Sequence, residues 1–510
     1  IVLIAFINFI NFFMAMVPRP IRRVKAEKVF GCPTWRLRLG FVGEAMGLVT
    51  IALLIAGYLI FMIAPGISAS QFVSVGVALG DNLGMVLFMV GLGLVLAIIS
   101  SIYPAWYITS MPPAFVIKGS FGNTKQGRRL RYVLLGFQFV ISTTLIICSL
   151  FIKLQHSYMM RYEMGFNKEH VLVTNIGYIG IPTDDHAKRN SLAYMLKENP
   201  IIQDVAYAQG DIVEVQRMGW GRDVIGKDHS FLFSVYPVSW NFLQVMGIEV
   251  VEGRDFLPSD EKGDGAIILN EYAKKKYNLN LEEVIEWNGK PFPATGFCRD
   301  FHFEPLHYES EAFAFYIYDS EIQNRYFTTP HLTVRTIENA DIKAVFDAIR
   351  ATTDKILPDY GGQKVKINFF DEELGENYEK EQQLTTTISL FTLLAIIISL
   401  MGVLGLVIFE TQYRRKEIGI RRVNGATVRE ILLMFNRKFM IIVAICFLIA
   451  APISYIITDY YYSTFAYRAP IAVWVFVVAL LAVLLVTTLV VTLATFRTAS
   501  ANPVESLRTE

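Results

Sequence analysis

Motifs that carry chemistry are scarce in this chain. G-x-x-x-x-G-K-[ST] does not occur, so no phosphate-cradling loop is on offer and nucleotide hydrolysis has no residue set of its own. G-x-S-x-G, H-E-x-x-H and C-x-x-C are missing too, which removes the common hydrolase, zincin and thiol-redox signatures. Four cysteines, Cys32, Cys148, Cys298 and Cys446, are spaced neither as a disulfide framework nor as a metal site. Of the seven histidines, His302 and His307 share acidic neighbours in Asp300 and Glu304. Without a tighter pairing, however, they are expected to be packed or solvated rather than ligating. An enzyme tethered outside a membrane therefore has no catalytic constellation to rest on. The start of the chain is also bare: Ile1 lies inside an apolar run, with no initiating Met, charged leader or cleavage site, and reads as a point within a longer protein.

Apolar residues, by contrast, are abundant, at 53% of 510 positions, and they are bunched. Runs near 1–16, 43–63, 84–108, 132–152, 386–409, 439–458 and 471–496 approach or exceed the roughly 20 residues that cross a bilayer as helix. The stretch TTISLFTLLAIIISLMGVLGLVIF (385–408) has no charge, and in lipid only a helix satisfies such a backbone. The near-zero net charge of +1 hides a separation: residues 154–385 hold 37 Asp+Glu against 23 Lys+Arg. The loops at 17–42, 109–131 and 410–438, with the tail from 497, hold 22 Lys+Arg and few acids. Short basic loops stay cytoplasmic, so the acidic segment is expected outside and the tail inside. The fold class is a polytopic α-helical membrane protein with about seven spans and a large α+β extracytoplasmic domain.

The chain also repeats itself. KVFGCPTWRLRLGFVGEAMGLVTIALLIA (28–56) aligns with RVNGATVREILLMFNRKFMIIVAICFLIA (422–450) at a constant offset of 394, pairing Gly31 with Gly425 and Phe41 with Phe435. PPAFVIKG (112–119) and NPVESLRT (502–509) close the two copies in similar style. Four parts follow: 1–120, the last three spans of a first half; 121–152, a cytoplasmic linker and the first span of the second; 153–385, the outside domain; and 386–510, three further spans. Within the outside domain AIILN (266–270), HLTVRT (331–336) and KVKINFF (364–370) read as strands, and 191–200 and 341–357 as amphipathic helices.

The densest signal lies in ETQYRRKEIGIRRVNGATVREILLMFNRKF (410–439). Apolar residues from Ile418 to Phe435 recur at three- and four-residue spacing, Gly425 can end one helix, and Thr427 with Glu430 forms a capping box for the next. A short amphipathic helix, a turn and a helix entering the bilayer are expected. A loop needed only to fix topology or bind anionic lipid would require charge alone.

RRKEIGIRRVNGATVREI, followed by a span, FAYR (465–468), a last span and NPVESLR (502–508), resembles the carboxy-terminal half of MacB/FtsX-type ABC transporter permeases. GFNKEHVLV (165–173), MGIEVVEGRDF (246–256), AIILNEYAKKKY (266–277) and TGFCRDFHFEPLH (295–307) are similar to the MacB-like periplasmic core domain, as in the large tandem permeases of Bacteroidetes-type bacteria. The resemblance implies an inner-membrane permease without a cofactor of its own, whose cytoplasmic ABC ATPase partner binds the ATP. It implies a coupling helix formed by Arg415, Lys416, Glu417, Ile418, Gly419, Ile420, Arg421, Arg422 and Gly425. The function implied is export or extraction of a drug, peptide or lipoprotein from the periplasmic side, in contact with membrane lipid and with an adaptor or outer-membrane channel as further partners. Nucleic acid is not among the partners. The alternative is a non-transporting regulator of a periplasmic cell-wall hydrolase or signalling partner. The first-half loop RPIRRVKAEKVFG (19–31) departs from the pattern, so an unequal pair of ATPase contacts is expected.

Overall fold

A computed structural model of the chain describes residues 2–16, 27–28, 30–68, 83–110, 125–175, 186–209, 218–223, 230–262, 265–281, 285–287, 290–292, 294–303, 306–317, 330–356, 366–376 and 378–500. Its helices, in chain order, are α1 (Val2–Met16), α2 (Thr34–Ser68), α3 (Leu83–Ser110), α4 (Lys125–Arg161), α5 (His186–Lys197), α6 (Phe242–Met246), α7 (Glu271–Tyr277), α8 (Ile342–Ile356), α9 (Phe370–Glu376), α10 (Glu379–Tyr413), α11 (Arg415–Val423), α12 (Val428–Tyr462) and α13 (Val473–Ala499). The chain divides into two units: Ile1–Ser157 with Glu381–Tyr462 and Ala469–Glu510, and Tyr158–Lys380 with Ser463–Arg468.

The first unit is helical. Among the described residues, six of its helices are long and apolar enough to cross a membrane, namely α2, α3, α4, α10, α12 and α13. The seventh apolar run forms α1, which at 15 residues is shorter than a full crossing. Buried polar groups inside this unit join helix to helix: Gln138 Nε2 donates to the Ile398 carbonyl at 3.2 Å, and the hydroxyls of Ser142 and Ser399 meet. These are the contacts by which amides and hydroxyls hold helices together where apolar burial gives no net drive. Lipid-like surface covers much of the rest, with Leu54, Leu448 and Leu485 all exposed.

The repeat is visible in the backbone. Helices α2 and α12 are both 35 residues long, and their first and last residues are each 394 apart (34 to 428, 68 to 462). Each is preceded by the same turn. Gly31 (φ 85°) donates to the Lys28 carbonyl and Cys32 to that of Glu27; Gly425 (φ 92°) donates to Arg422 and Ala426 to Arg421. This pair of bonds around a left-handed glycine is the Schellman arrangement, which satisfies carbonyls that a helix end leaves open.

The second unit is α+β with two sheets. One is four-stranded and antiparallel, ordered β12 (Ile367–Phe369), β1 (Val171–Asn175), β11 (Pro330–Thr336), β2 (Ile202–Gln209). Helices α5 and α8 cover it, and Leu172, Leu192, Val205, Val334, Val345 and Ile349 form its core. The other is six-stranded and mixed, ordered β3 (Met218–Asp223), β4 (Ser230–Pro237), β10 (Phe313–Ile317), β6 (Ala266–Asn270), β9 (Ala294–Cys298), β5 (Val250–Gly253). A short hairpin of β7 (Ile285–Trp287) and β8 (Lys290–Phe292) accompanies it. The AIILN and HLTVRT segments are strands as expected. KVKINFF yields only the three residues of β12, because Phe370 already begins α9; residues 364–365 lie outside the described set. The helix expected at 191–200 starts earlier and stops at Lys197.

Buried Arg335 on β11 ties this unit together. Its guanidinium donates to the carbonyls of Val245, Glu169 (3.1 Å) and Asn167 (2.8 Å), and burial lowers its pKa from the usual arginine value. The connection Ser463–Arg468 between α12 and α13 belongs here as well. Tyr467 hydroxyl meets Ser310 at 2.8 Å, its amide donates to the Leu306 carbonyl, and its ring lies 5.1 Å from His302. His307 packs at 4.1 Å from Phe465. Both histidines are thus aromatic packing partners, and Cys298 is fully buried, its thiol pushed up by that burial.

Candidate functional site at helix α11

Helix α11 is nine residues long and sits between two long helices. It begins where α10 ends, with the Ile418 amide donating to Arg414 at 2.8 Å, and it ends in the Gly425 turn. Helix α12 then starts through a reciprocal pair: the Glu430 amide donates to Thr427 Oγ1 at 3.3 Å, and the Thr427 amide to Glu430 Oε2 at 2.9 Å. The capping box expected from the sequence is formed.

One face of α11 is seated. Ile418 and Gly419 are buried, and Ile418 joins an apolar cluster with Leu135, Phe139, Leu406, Val407 and Phe435. The opposite face is presented. Lys416, Ile420, Arg421, Val423 and Gly425 are exposed, with Ile420 at 54% and Val423 at 63%. Arg415, Glu417 and Arg422 lie between the two. Arg421 pairs with Glu417 one turn earlier at 2.7 Å, and Arg422 donates to the Ala426 carbonyl at 3.2 Å, so these two basic groups are partly engaged in shaping the helix end. The nine residues named from the sequence therefore share one helix and its turn but divide by role: two hold it, and the remainder form its outward surface and flanks.

The residue that sequence reasoning missed is Glu410. It stands in the last turn of α10, only 4% exposed, and its carboxylate collects three donors. Tyr132 on α4 donates its hydroxyl at 2.7 Å, Lys438 on α12 lies at 3.2 Å, and Arg414 at 3.4 Å. Beside it the Arg131 guanidinium sits 3.9 Å over the Phe409 ring. A buried carboxylate is costly unless paired and hydrogen-bonded, and here the pairing fastens three long helices to the start of α11. The repeat held a signal for it. At the offset of 394, Glu410 corresponds to Met16, Lys438 to Glu44 and Arg414 to Pro20, so this charge cluster is not written into the first half. The first half is tied differently: Lys28 Nζ donates to the Thr109 carbonyl, and Arg38 Nε to the Thr109 hydroxyl at 2.9 Å. Residues 17–26, which carry the departure of the first-half loop from the pattern, lie outside the described residues, as do the closing segments 112–119 and 502–509.

The FtsX-like permease C-terminal family model matches residues 1–113 and 389–503, and the MacB-like periplasmic core domain model matches residues 144–352. Among solved structures the chain is similar to the periplasmic region of MacB from Actinobacillus actinomycetemcomitans, at 17% identity and a TM-score of 0.30, covering 43% of this chain and 98% of that one. It is also similar to the extracellular domain of the noncanonical ABC-type transporter YknZ from Gram-positive bacteria, at 12% identity and a TM-score of 0.26, covering 38% and 98%. No curated protein matches the chain. With a permease model over both repeated halves and a core-domain model over the segment between them, the chain belongs to the MacB/FtsX-type ABC transporter permeases and is a multi-pass membrane protein with a MacB-like periplasmic core domain.

Proposed function

We propose that this chain is the permease subunit of an inner-membrane ABC exporter, with residues 153–385 in the periplasm and helix α11 resting on a separate cytoplasmic ATPase. The ATPase binds and hydrolyses ATP, and α11 carries its movement into the membrane helices. The observation that carries the reading is the two-sided construction of α11. A buried face at Ile418 and Gly419 and the Glu410 cluster fix it to the helices, while Lys416, Ile420, Arg421 and Val423 are left facing outward. A rigid helix with an apolar and cationic outer face suits docking into a groove on a partner protein. Gln138 Nε2 and the Ser142 hydroxyl make helix-to-helix bonds, which supports transmission by helix movement over a hydrophilic route through the bilayer. The cargo proposed is a drug, peptide or lipoprotein already on the periplasmic side.

The test is co-purification of the chain with a candidate ABC ATPase subunit from the same cells, with and without Lys416→Glu and Arg421→Glu. Loss of association in the variant supports docking through α11, and undiminished association refutes it. Deleting the gene separates export from regulation: sensitivity to drugs or peptides fits export, and chained or misshapen cells overturn it.

A further inference from the structure

The two halves meet inside the membrane unit at a position the repeat itself singles out. Asn8 on α1 belongs to the first half, and at the offset of 394 its counterpart is Gly402 on α10. The structure brings these two equivalent positions together. Asn8 is 8% exposed, and its Nδ2 donates to the Ile398 carbonyl, one turn before Gly402, at 3.2 Å. A Cβ at position 402 would lie 3.0 Å from Asn8 Oδ1 and 2.7 Å from Gln138 Oε1. A residue that touches its own counterpart marks the axis of a two-fold arrangement, as in the isologous contact of a dimer. Here, though, the two sides of the axis are chemically unlike.

That difference sets which halves can pair. Asn8, together with Gln138 of the second half, fills the space that the missing side chain of Gly402 leaves open, and both amides donate to the Ile398 carbonyl where no water is available to substitute. Were two second halves from separate copies to meet, glycine would face glycine, and the Ile398 carbonyl would keep Gln138 and lose the Asn8 donor. Were two first halves to meet, a Cβ would stand in the place that Asn8's carboxamide occupies. The first-with-second pairing gives Asn8 both the opening at Gly402 and the Ile398 acceptor beside Gln138. We propose that the contact of Asn8 with Ile398 and Gly402 selects a first half as the partner of a second half. This stands apart from ATPase docking and from the identity of any cargo.

The experiment uses the full chain in lipid nanodiscs, with Cys32, Cys148, Cys298 and Cys446 replaced by Ala. Asn8→Cys and Gly402→Cys are introduced together and oxidised with copper phenanthroline. A cross-link joining residues 8 and 402 is expected; a cross-link joining 8 to 8 or 402 to 402 overturns the proposal. Because that variant removes the clamp, a second set tests the fit in the native-cysteine chain. Gly402→Val is expected to cut the monodisperse yield at least threefold, and adding Asn8→Ala to restore part of it, since Gln138 still faces the new side chain. Full tolerance of Gly402→Val, or rescue by Gln138→Ala and not by Asn8→Ala, would place the glycine's role within one half and end the proposal.

Discussion

Glu410 shows what one side chain contributes to a membrane machine of this kind. Its carboxylate is enclosed by Tyr132 of α4, Lys438 of α12 and Arg414 at the N-cap of α11, at the point where the chain turns into α11. Removing one member of such a cluster leaves its partners uncompensated, whereas removing two together costs less than the sum. Glu410→Gln is expected to lower stability by about 2 kcal/mol, within the range for a hydrogen bond to a charged group. Glu410→Gln with Lys438→Met should lose measurably less than the two single changes added. Thermal unfolding of the four proteins in detergent checks this, and strictly additive losses would contradict it. At Gly425 the argument is purely one of backbone. With φ at 92° and nothing within 4 Å of the place a Cβ would take, Gly425→Ala meets no clash, so its expected loss of about 1 kcal/mol is the strain of a left-handed residue. Gly31→Ala should cost about the same, since the turn around it is the same.

Helix α11 shows which features of an element are local. The Gly425 turn and the Thr427–Glu430 box depend on residues within a few positions of one another, and both were legible in the sequence. The division of its apolar residues was not. Ile418 and Ile420 look alike in a list of hydrophobic positions, yet one is packed against Leu135 and Phe435 and the other is exposed, because among the described residues α11 is packed on one side. Glu410 escaped for a related reason: a single acid at the end of a span reads as an interfacial charge until Tyr132, 278 residues away, is brought beside it. In the core domain, β6 and β11 were readable from their alternation and run length. The mixed order of the six-stranded sheet, with β10 parallel to β4 and β6 parallel to β9, comes from pairings far apart in sequence that no local pattern encodes. At this scale the expectation is functional inequality between the two loops. Arg421→Glu with Arg422→Glu should abolish ATPase association far more than Arg22→Glu with Arg23→Glu. A pull-down with both pairs decides it, and equal losses would contradict the asymmetry.

Over the whole molecule, charge and repetition set the arrangement. The basic short loops and the acidic 154–385 segment orient the chain by the positive-inside rule. The 394-residue offset then appears three times in the structure: in the lengths of α2 and α12, in the paired glycine turns, and in the meeting of Asn8 with Gly402. What distinguishes the halves is as consistent as what they share, since the Glu410 cluster and the capping box are both spelled in the second copy alone; Pro33 stands where Thr427 would be. The chain thus combines two related helical halves, the second carrying the seated α11, and a core domain built on two larger sheets and a hairpin.

The most direct measurement is ATP hydrolysis by purified components in lipid nanodiscs: the chain alone, the chain with the ABC ATPase that co-purifies with it, and the same pair with Lys416→Glu and Arg421→Glu. No hydrolysis by the chain alone, stimulation of the ATPase by the chain, and loss of that stimulation in the variant are the expected results. Hydrolysis by the unaccompanied chain, or stimulation indifferent to the α11 changes, would contradict the account.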